Sequence, residues 1–281
     1  MKQITLAVPP RDEQCAIARF LDRETAKIDA LIGKQEQLIA TLREDRTATI
    51  THAVAEGLDP DVKMTTSEFP GLRTVPSGWV LTPLKHVCVV RDCKHVTAEF
   101  VDDGFPLASI REVQSRYVDL SEAKETTDTF YNLLIEGGRH PRAGDLIFSR
   151  NATVGEVAQV PNGSVPFAMG QDVCLLRPDS QELDSEYAWY VLRSGLVRTQ
   201  IDLMMIGSTF KRINVEEIRS LVITLPPQPE QQTIVDFLDR RCAKIDALID
   251  KANAVIETMR EYRSALIADA VTGKIDVRGA V

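Results

Sequence analysis

At 281 residues, with 44% hydrophobic and 26% charged side chains, the chain can bury a sizeable core, and two structural units suit its length better than one. A net charge of −8 and a pI near 5.2 argue against an autonomous nucleic-acid binder, because DNA affinity comes mostly from neutralising phosphates with Lys and Arg; such a role must gather cations on one face or borrow them from a partner. Apolar runs fall short of the ~20 residues of a membrane span, Met1-Lys2-Gln3-Ile4-Thr5 lacks the order of a secretory signal, and five cysteines do not make a disulfide framework, so a cytoplasmic chain with reduced thiols and no membrane partner is expected.

In chain order, residues 1–8 carry a short strand, Ile4-Thr5-Leu6-Ala7-Val8, that aligns with Leu221-Val222-Ile223-Thr224-Leu225 much later. Pro9-Pro10-Arg11-Asp12-Glu13-Gln14 then opens a long helix over residues 9–57, and Pro226-Pro227-Gln228-Pro229-Glu230-Gln231 opens a second over 226–273. Read without a gap to Val54 and Val271, the two copies share about 26 identities over about 46 positions, so the chain contains an internal repeat. Apolar residues recur at alternating steps that sum to seven, in one helix as Ile17, Leu21, Ile28, Leu31, Leu38 and Leu42, in the other as Ile234, Leu238, Ile245, Leu248, Val255 and Met259. That is a coiled-coil seam. Connectivity favours antiparallel pairing, since a compact domain between the helices has its ends close together; with Gln35 near Ala252, Asp45 should meet Arg241 and Glu24 should meet Arg263. Gly57 and Gly273 are placed to stop the helices.

The repeat extends beyond the seam. Asp22/Asp239, Arg23/Arg240, Lys27/Lys244, Asp29/Asp246, Arg43/Arg260 and Glu44/Glu261 match on outward faces, which points to two copies of one partner rather than a plain dimerisation stalk.

Between the helices lie a linker, 58–75, and a middle domain, 76–225, followed after the second helix by a tail, 274–281. Short apolar runs at 84–90, 106–110, 145–149, 154–160 and 172–176 read as strands, and 184–206 and 215–220 as helices. The expected class is α+β, with a curved mixed sheet flanked by the two long helices in an antiparallel coiled coil. The domain has no Walker A loop, no Gly-x-Gly-x-x-Gly after a strand and no Asn-Pro-Pro-Tyr/Phe motif, so no catalytic residue is assigned. His86, Cys88, Cys93 and His95 have zinc-capable side chains around a turn, but two buried thiols and two surface histidines are the plainer reading, and no metal is assigned. More informative are five loops mixing amides, hydroxyls and cations with glycine. Lys94, His95, Arg111, Arg150, Asn151, Gln171, Ser208, Thr209, Lys211 and Arg212 suit base edges and phosphate oxygens, with internal salt bridges of Arg150 and Arg212 as the competing reading.

Pro-Pro-x-x-Glu-Gln leading into Phe-Leu-Asp-Arg and Lys-Ile-Asp-Ala-Leu-Ile, preceded by Gly207-Ser208-Thr209-Phe210-Lys211-Arg212-Ile213-Asn214-Val215, resembles the specificity subunit of type I restriction-modification enzymes over essentially the whole chain. The resemblance implies a non-catalytic subunit whose target-recognition domain, 76–225, reads one half of a bipartite site in double-stranded DNA. It implies a modification (methyltransferase) subunit docked on the repeated helices and a restriction subunit joined through the complex, with S-adenosylmethionine, ATP and Mg belonging to those partners and no cofactor here. The coil would set the spacing of two half-sites. A usual member carries another recognition domain ahead of the first helix, so residues 1–8 look like the last strand of a missing domain; a fragment, a rearranged gene and a half-subunit that self-dimerises all fit. A coiled-coil scaffold that never meets DNA is the alternative.

Overall fold

The computed structural model describes residues 8–69, 71–205 and 212–277. In chain order its elements are the long helix α1 (Arg11–Glu56) and strands β1 (Met64–Thr66), β2 (Thr74–Pro76), β3 (Val80–Pro83), β4 (Cys88–Asp92), β5 (Phe100–Val101), β6 (Phe105–Ala108) and β7 (Glu125–Thr126). Helix α2 (Asp128–Ile135) leads to β8 (Leu146–Ser149), β9 (Val157–Gln159), β10 (Ala168–Met169) and β11 (Val173–Pro178). Helices α3 (Ser185–Leu192), α4 (Gly195–Met204) and α5 (Val215–Ser220), strand β12 (Val222–Leu225) and the second long helix α6 (Gln228–Val271) complete the order. Two compact units emerge, Met1–Arg46 with Arg241–Val281, and Thr47–Arg240.

The Thr47–Arg240 unit is α+β. Its sheets are smaller than the single curved sheet expected: four strands in the antiparallel order β4-β11-β8-β9, four in the order β10-β6-β7-β5 with β6 and β10 parallel, and the pairs β1-β2 and β3-β12. Leu146, Ile147 and Phe148 on β8 and Val173 to Leu176 on β11 are buried on both faces, hence their continuous apolar runs. The second sheet breaks away because turns interrupt it. At Gly104 a Cβ would sit 2.2 Å from the Thr126 carbonyl oxygen, so only glycine lets β6 turn back against β7. Helix α2 covers this sheet through Tyr131 and Leu134, and the Tyr131 ring stacks on Phe105 with centroids 3.9 Å apart.

Three sequence expectations need correction here. Residues 58–75 are no bare linker: β1 and β2 form a hairpin, and Leu72 and Val75 pack against Ala55 and Leu196. The helix expected over 184–206 is two helices, because the backbone N–H of Gly195 turns aside to donate to the Thr51 hydroxyl at 2.8 Å. The run 84–90 begins as a 3-10 turn, Leu84–His86, before β4. The strand expected over residues 1–8 lies, apart from exposed Val8, outside the described residues.

The repeated motif has a visible purpose in its second copy. Gln231 is fully buried: its amide oxygen accepts from the Asp184 N–H at 2.8 Å, and its Nε2 donates to the carbonyls of Glu182 (2.8 Å) and Pro226 (2.9 Å). Glu230 accepts from the Trp79 indole at 3.0 Å, and Asp239 accepts from the Tyr190 hydroxyl at 2.6 Å and from Arg116. The first turns of α6 are thereby bolted to the α+β body.

The other unit is an antiparallel helix pair. Asp29 and Arg263 meet at 2.9 Å, Arg46 and Asp246 at 3.0 Å, and Asp45 and Arg241 at 3.1 Å, so positions rising along one helix meet positions falling along the other. The first two contacts are repeat equivalents, and the coil has an internal pseudo-twofold. Glu24 does not reach Arg263; it pairs within its own helix with Arg23 and Lys27, each at 2.9 Å.

The seam is shifted from expectation at four positions. Ile28, Ile39, Ile245, Ala252 and Ile256 are buried and Ile32 and Ile249 join them, whereas Leu31, Leu38, Leu248 and Val255 are 39–50% exposed. Each apolar pair, Leu31-Ile32, Leu38-Ile39, Leu248-Ile249 and Val255-Ile256, offers two registers, and the structure turns the isoleucine of each inward, burying Ile39 and Ile256 and half-burying Ile32 and Ile249. Of the remaining expected seam residues in this unit, Ile17, Leu21, Leu42 and Met259 are half-buried; Ile234 and Leu238 are buried in the α+β unit.

Candidate nucleic-acid interface

Strand β8 delivers Arg150 into the interior at its C-terminal end, 4% exposed. Its guanidinium Nη1 donates to the Asp92 carboxylate and its Nε to the Ile213 carbonyl at 3.3 Å, while its backbone N–H donates to the Asp172 carbonyl at 2.8 Å and its carbonyl accepts from the Ile213 N–H at 3.0 Å. One residue therefore ties together the end of β4, the loop after β8, the turn between β10 and β11, and the strand-like segment before α5. The expectation that Arg150 reads a base does not fit this placement; with its cation consumed by Asp92 and a carbonyl, it organises loops that others could use.

Around that clamp the structure gathers several of the expected residues. Asn151 forms a single antiparallel bridge with Arg212, and its side-chain oxygen accepts from the Ala152 N–H at 2.9 Å. Arg212 is half-exposed with Asp172 at 3.7 Å. Ala152 and Asp172 have φ of 54° and 65°, a conformation that non-glycine residues adopt only where surroundings enforce it and that concentrates at working sites. Gln171 is exposed on the turn between β10 and β11, whose start is pinned by the Gly170 N–H to the Ala108 carbonyl at 2.8 Å. Arg111, well exposed, reaches the Glu122 carbonyl at 3.1 Å and borders the same concavity as Gln171 and Asp172. Gln114 and Thr153 extend the polar surface, the Gln114 amide reaching Thr153 at 3.2 Å, and buried Ser149 supports them through a hydroxyl–hydroxyl contact with Thr153 at 3.1 Å.

Lys94 and His95 have their polar ends engaged: Lys94 pairs with Glu136, and His95 Nε2 lies 3.3 Å from Asp92. Ser208, Thr209 and Lys211 lie outside the described residues. Sequence reasoning placed Asp92 and Asp172 in the polar loops without a role, and missed Gln114, Phe100 and Lys124, whose ammonium stands 4.6 Å from the Phe100 ring centroid. An exposed phenylalanine on a two-residue strand leaves no periodic signal to read.

The zinc-capable set is not brought together as a foursome. Among the described residues, Asp92, Cys93 and His95 offer ligand atoms within 4.8 Å of one another, while His86 faces Thr82 at 3.4 Å. Burial pushes the Cys93 thiol up, as does the neighbouring Asp92 charge, and burial drives Cys88 to about 12.

Residues 76–258 match the family model described as the type I restriction modification DNA specificity domain. The chain is 21% identical over 286 residues to the MjaVIII type I restriction enzyme specificity subunit of Methanocaldococcus jannaschii, covering 99% of this chain and 63% of that protein. Identity to the EcoKI specificity subunit of Escherichia coli K12 is 23%, covering 97% and 58% respectively. Among solved structures, a chain from a study of complex assembly and conformational transition of the type I R-M system superposes with a TM-score of 0.70 at 17% identity, covering 95% of this chain and 60% of that one. The HsdS subunit from Thermoanaerobacter tengcongensis gives 0.52 at 17% identity, covering 96% and 60%. The chain thus spans about three-fifths of the length of these relatives.

Proposed function

The chain belongs to the type I restriction modification DNA specificity family, and on that premise we propose that it reads one half of a bipartite site in double-stranded DNA as the non-catalytic specificity subunit of a methyltransferase and endonuclease complex. The observation that carries this reading is the placement of Asn151, Gln171 and Arg212 on loops cross-tied by buried Arg150, with Gln114 bonded to Thr153 and Arg111 bordering the same concavity as Gln171, and enforced backbone conformations at Ala152 and Asp172. Amides and guanidinium groups on a fixed backbone are what base edges and phosphates require. With a net charge of −8, much of the phosphate neutralisation falls to partners, which also supply S-adenosylmethionine, ATP and Mg.

Modification subunits dock on the coil. Leu31 and Leu248 are repeat equivalents, as are Leu38 and Val255, so the exposed apolar stripe is present in both copies, and a shallow groove runs past Leu38, Leu42, Leu248 and Val255. A restriction subunit joins through that assembly.

A second α+β body of the same kind fits against the first turns of α1. Glu13, Gln14, Ile17, Leu21 and Asp22 are the equivalents of Glu230, Gln231, Ile234, Leu238 and Asp239, with which α6 grips its α+β body. In α1 these residues are exposed or half-buried, and Gln14 still makes the motif's internal bond to the Pro9 carbonyl at 2.8 Å, as Gln231 does to Pro226. That end of α1 is dressed for a domain of the same kind.

Co-expression with a modification subunit tests the proposal. The complex should form stably and enrich a bipartite sequence from a randomised duplex library, while the chain alone transfers no methyl group. A complex that binds every duplex equally would leave a scaffold; methyl transfer by the isolated chain would overturn the non-catalytic reading.

A further inference from the structure

Beside the loop cluster lies a concavity of about 540 Å³ whose floor is apolar, with Leu107 and Met169 buried beneath it, and whose rim is formed by Phe100, Arg111, Lys124 and Gln171. Resting on the DNA-reading proposal above, we infer that this concavity recognises a single A·T base pair, Gln171 taking the adenine and Phe100 the C5-methyl group of the thymine.

Gln171 projects from a turn fixed on both sides: Gly170 donates to the Ala108 carbonyl at 2.8 Å, and the Asp172 carbonyl accepts from the Arg150 N–H at 2.8 Å with Asp172 held at φ 65°. At Gly170 a Cβ would stand 2.1 Å from the Ser109 hydroxyl, so the turn packs closely on Ser109. A side-chain amide on a fixed backbone presents one donor beside one acceptor, and in the major groove adenine offers the complementary N6–H and N7 pair. Its partner thymine carries the only methyl group on that groove edge. Phe100 is the apolar surface that such a methyl group needs: it is 54% exposed on strand β5, at the end of its sheet and bordering the concavity that Gln171 also borders. A G·C pair in the same place would set the cytosine amino group against an apolar wall, leaving its donor without a partner. Lys124, 4.6 Å from the Phe100 ring, and exposed Arg111 are placed to hold the flanking phosphates.

Deoxyuridine differs from thymidine only by that methyl group, which supplies the test. Two duplex libraries randomised over both half-sites, one built with thymidine and one with deoxyuridine throughout, are selected with the co-expressed complex. One A·T position in the enriched half-site should lose about fourfold in enrichment in the deoxyuridine library, the partition of one buried methyl group. Phe100→Ala should erase the difference between libraries, and Gln171→Ala should relax the choice of base at that same position. Both side chains are exposed, so equal melting temperatures are expected and confirm that folding is not the cause. If a sequence is enriched but the two libraries agree at every position, or the thymine-sensitive position ignores both variants, the inference falls and the DNA-reading proposal stands. If neither library yields an enriched sequence, the DNA-reading proposal itself falls and takes this inference with it.

Discussion

Replacing Arg150 with methionine keeps most of the side-chain volume while removing the charge that Asp92 and the Ile213 carbonyl both use. Deleting one member of a buried ion pair costs roughly 3–5 kcal/mol, and that range must be discounted because Asp92 retains 31% exposure and is partly hydrated once its partner is gone. About 2 kcal/mol from the stranded carboxylate and about 1 kcal/mol from the lost bond to Ile213 give roughly 3 kcal/mol in all. Arg150→Lys should fall between wild type and methionine, because an ammonium cannot span the carboxylate and the carbonyl with the same geometry. Urea unfolding of the full chain measures the stability change, and a double-mutant cycle with Asp92→Asn isolates the pair, for which a coupling near 2 kcal/mol is expected. The same variants in the assembled complex should discriminate target from non-target duplex less well, since four segments lose their common tie. A loss under about 1 kcal/mol, within the range of ordinary surface substitutions, together with a sharp change in base preference at one position, would refute the clamp and restore Arg150 as a base reader.

Two further outcomes follow from the coil and from the latch on α6. Ile39→Asp places a charge in the buried seam and should lower coil stability by at least about 3 kcal/mol, whereas Leu248→Asp, at an exposed position, should leave helicity by circular dichroism within the scatter of the Lys34→Ala control yet prevent docking of the modification subunit; equal loss of helicity in both would mean that the seam uses the leucines. Desolvation alone would raise the Asp239 carboxyl, but hydrogen bonds from Arg116 and Tyr190 outweigh it and hold the group below its ordinary value of 3.8. A depressed carboxylate contributes stability that is fully present above that value and lost as pH falls through the folded-state value, so the stability gap between wild type and Asp239→Asn should close on acidification below about pH 4, whereas raised Glu186 acts in the opposite sense at higher pH, above its ordinary 4.5; a gap independent of pH would show that Asp239 acts by shape alone.

The repeat, the two helices and their antiparallel sense were legible because period and identity survive in the order of residues; the pairing of Asp45 with Arg241 follows from the register read there. Register within an apolar doublet was not legible. Leu31-Ile32 and Leu38-Ile39 satisfy a seven-residue repeat either way, and only three-dimensional packing chooses the β-branched member. The reading loops were found as a set through their amides, hydroxyls and glycines, but roles inside the set depend on which side chain turns inward, and an arginine beside a strand end gives no hint of a carboxylate 58 residues earlier in the chain.

The repeat also explains why the motif can be read on the page before its purpose is known. Gln231 satisfies two carbonyls and one N–H that would otherwise be buried without partners, so the second copy is held by local chemistry wherever a domain must be gripped. Gln14 repeats only the bond internal to the motif, to Pro9. Two copies under the same structural demand would be equally buried; two that differ in burial yet agree in sequence, including Gln14 with Gln231 and Ile17 with Ile234, answer a demand that in α1 is met by something outside the described residues. The exposed copy thus argues for a second α+β body at that end of the coil by the same residues that hold the first.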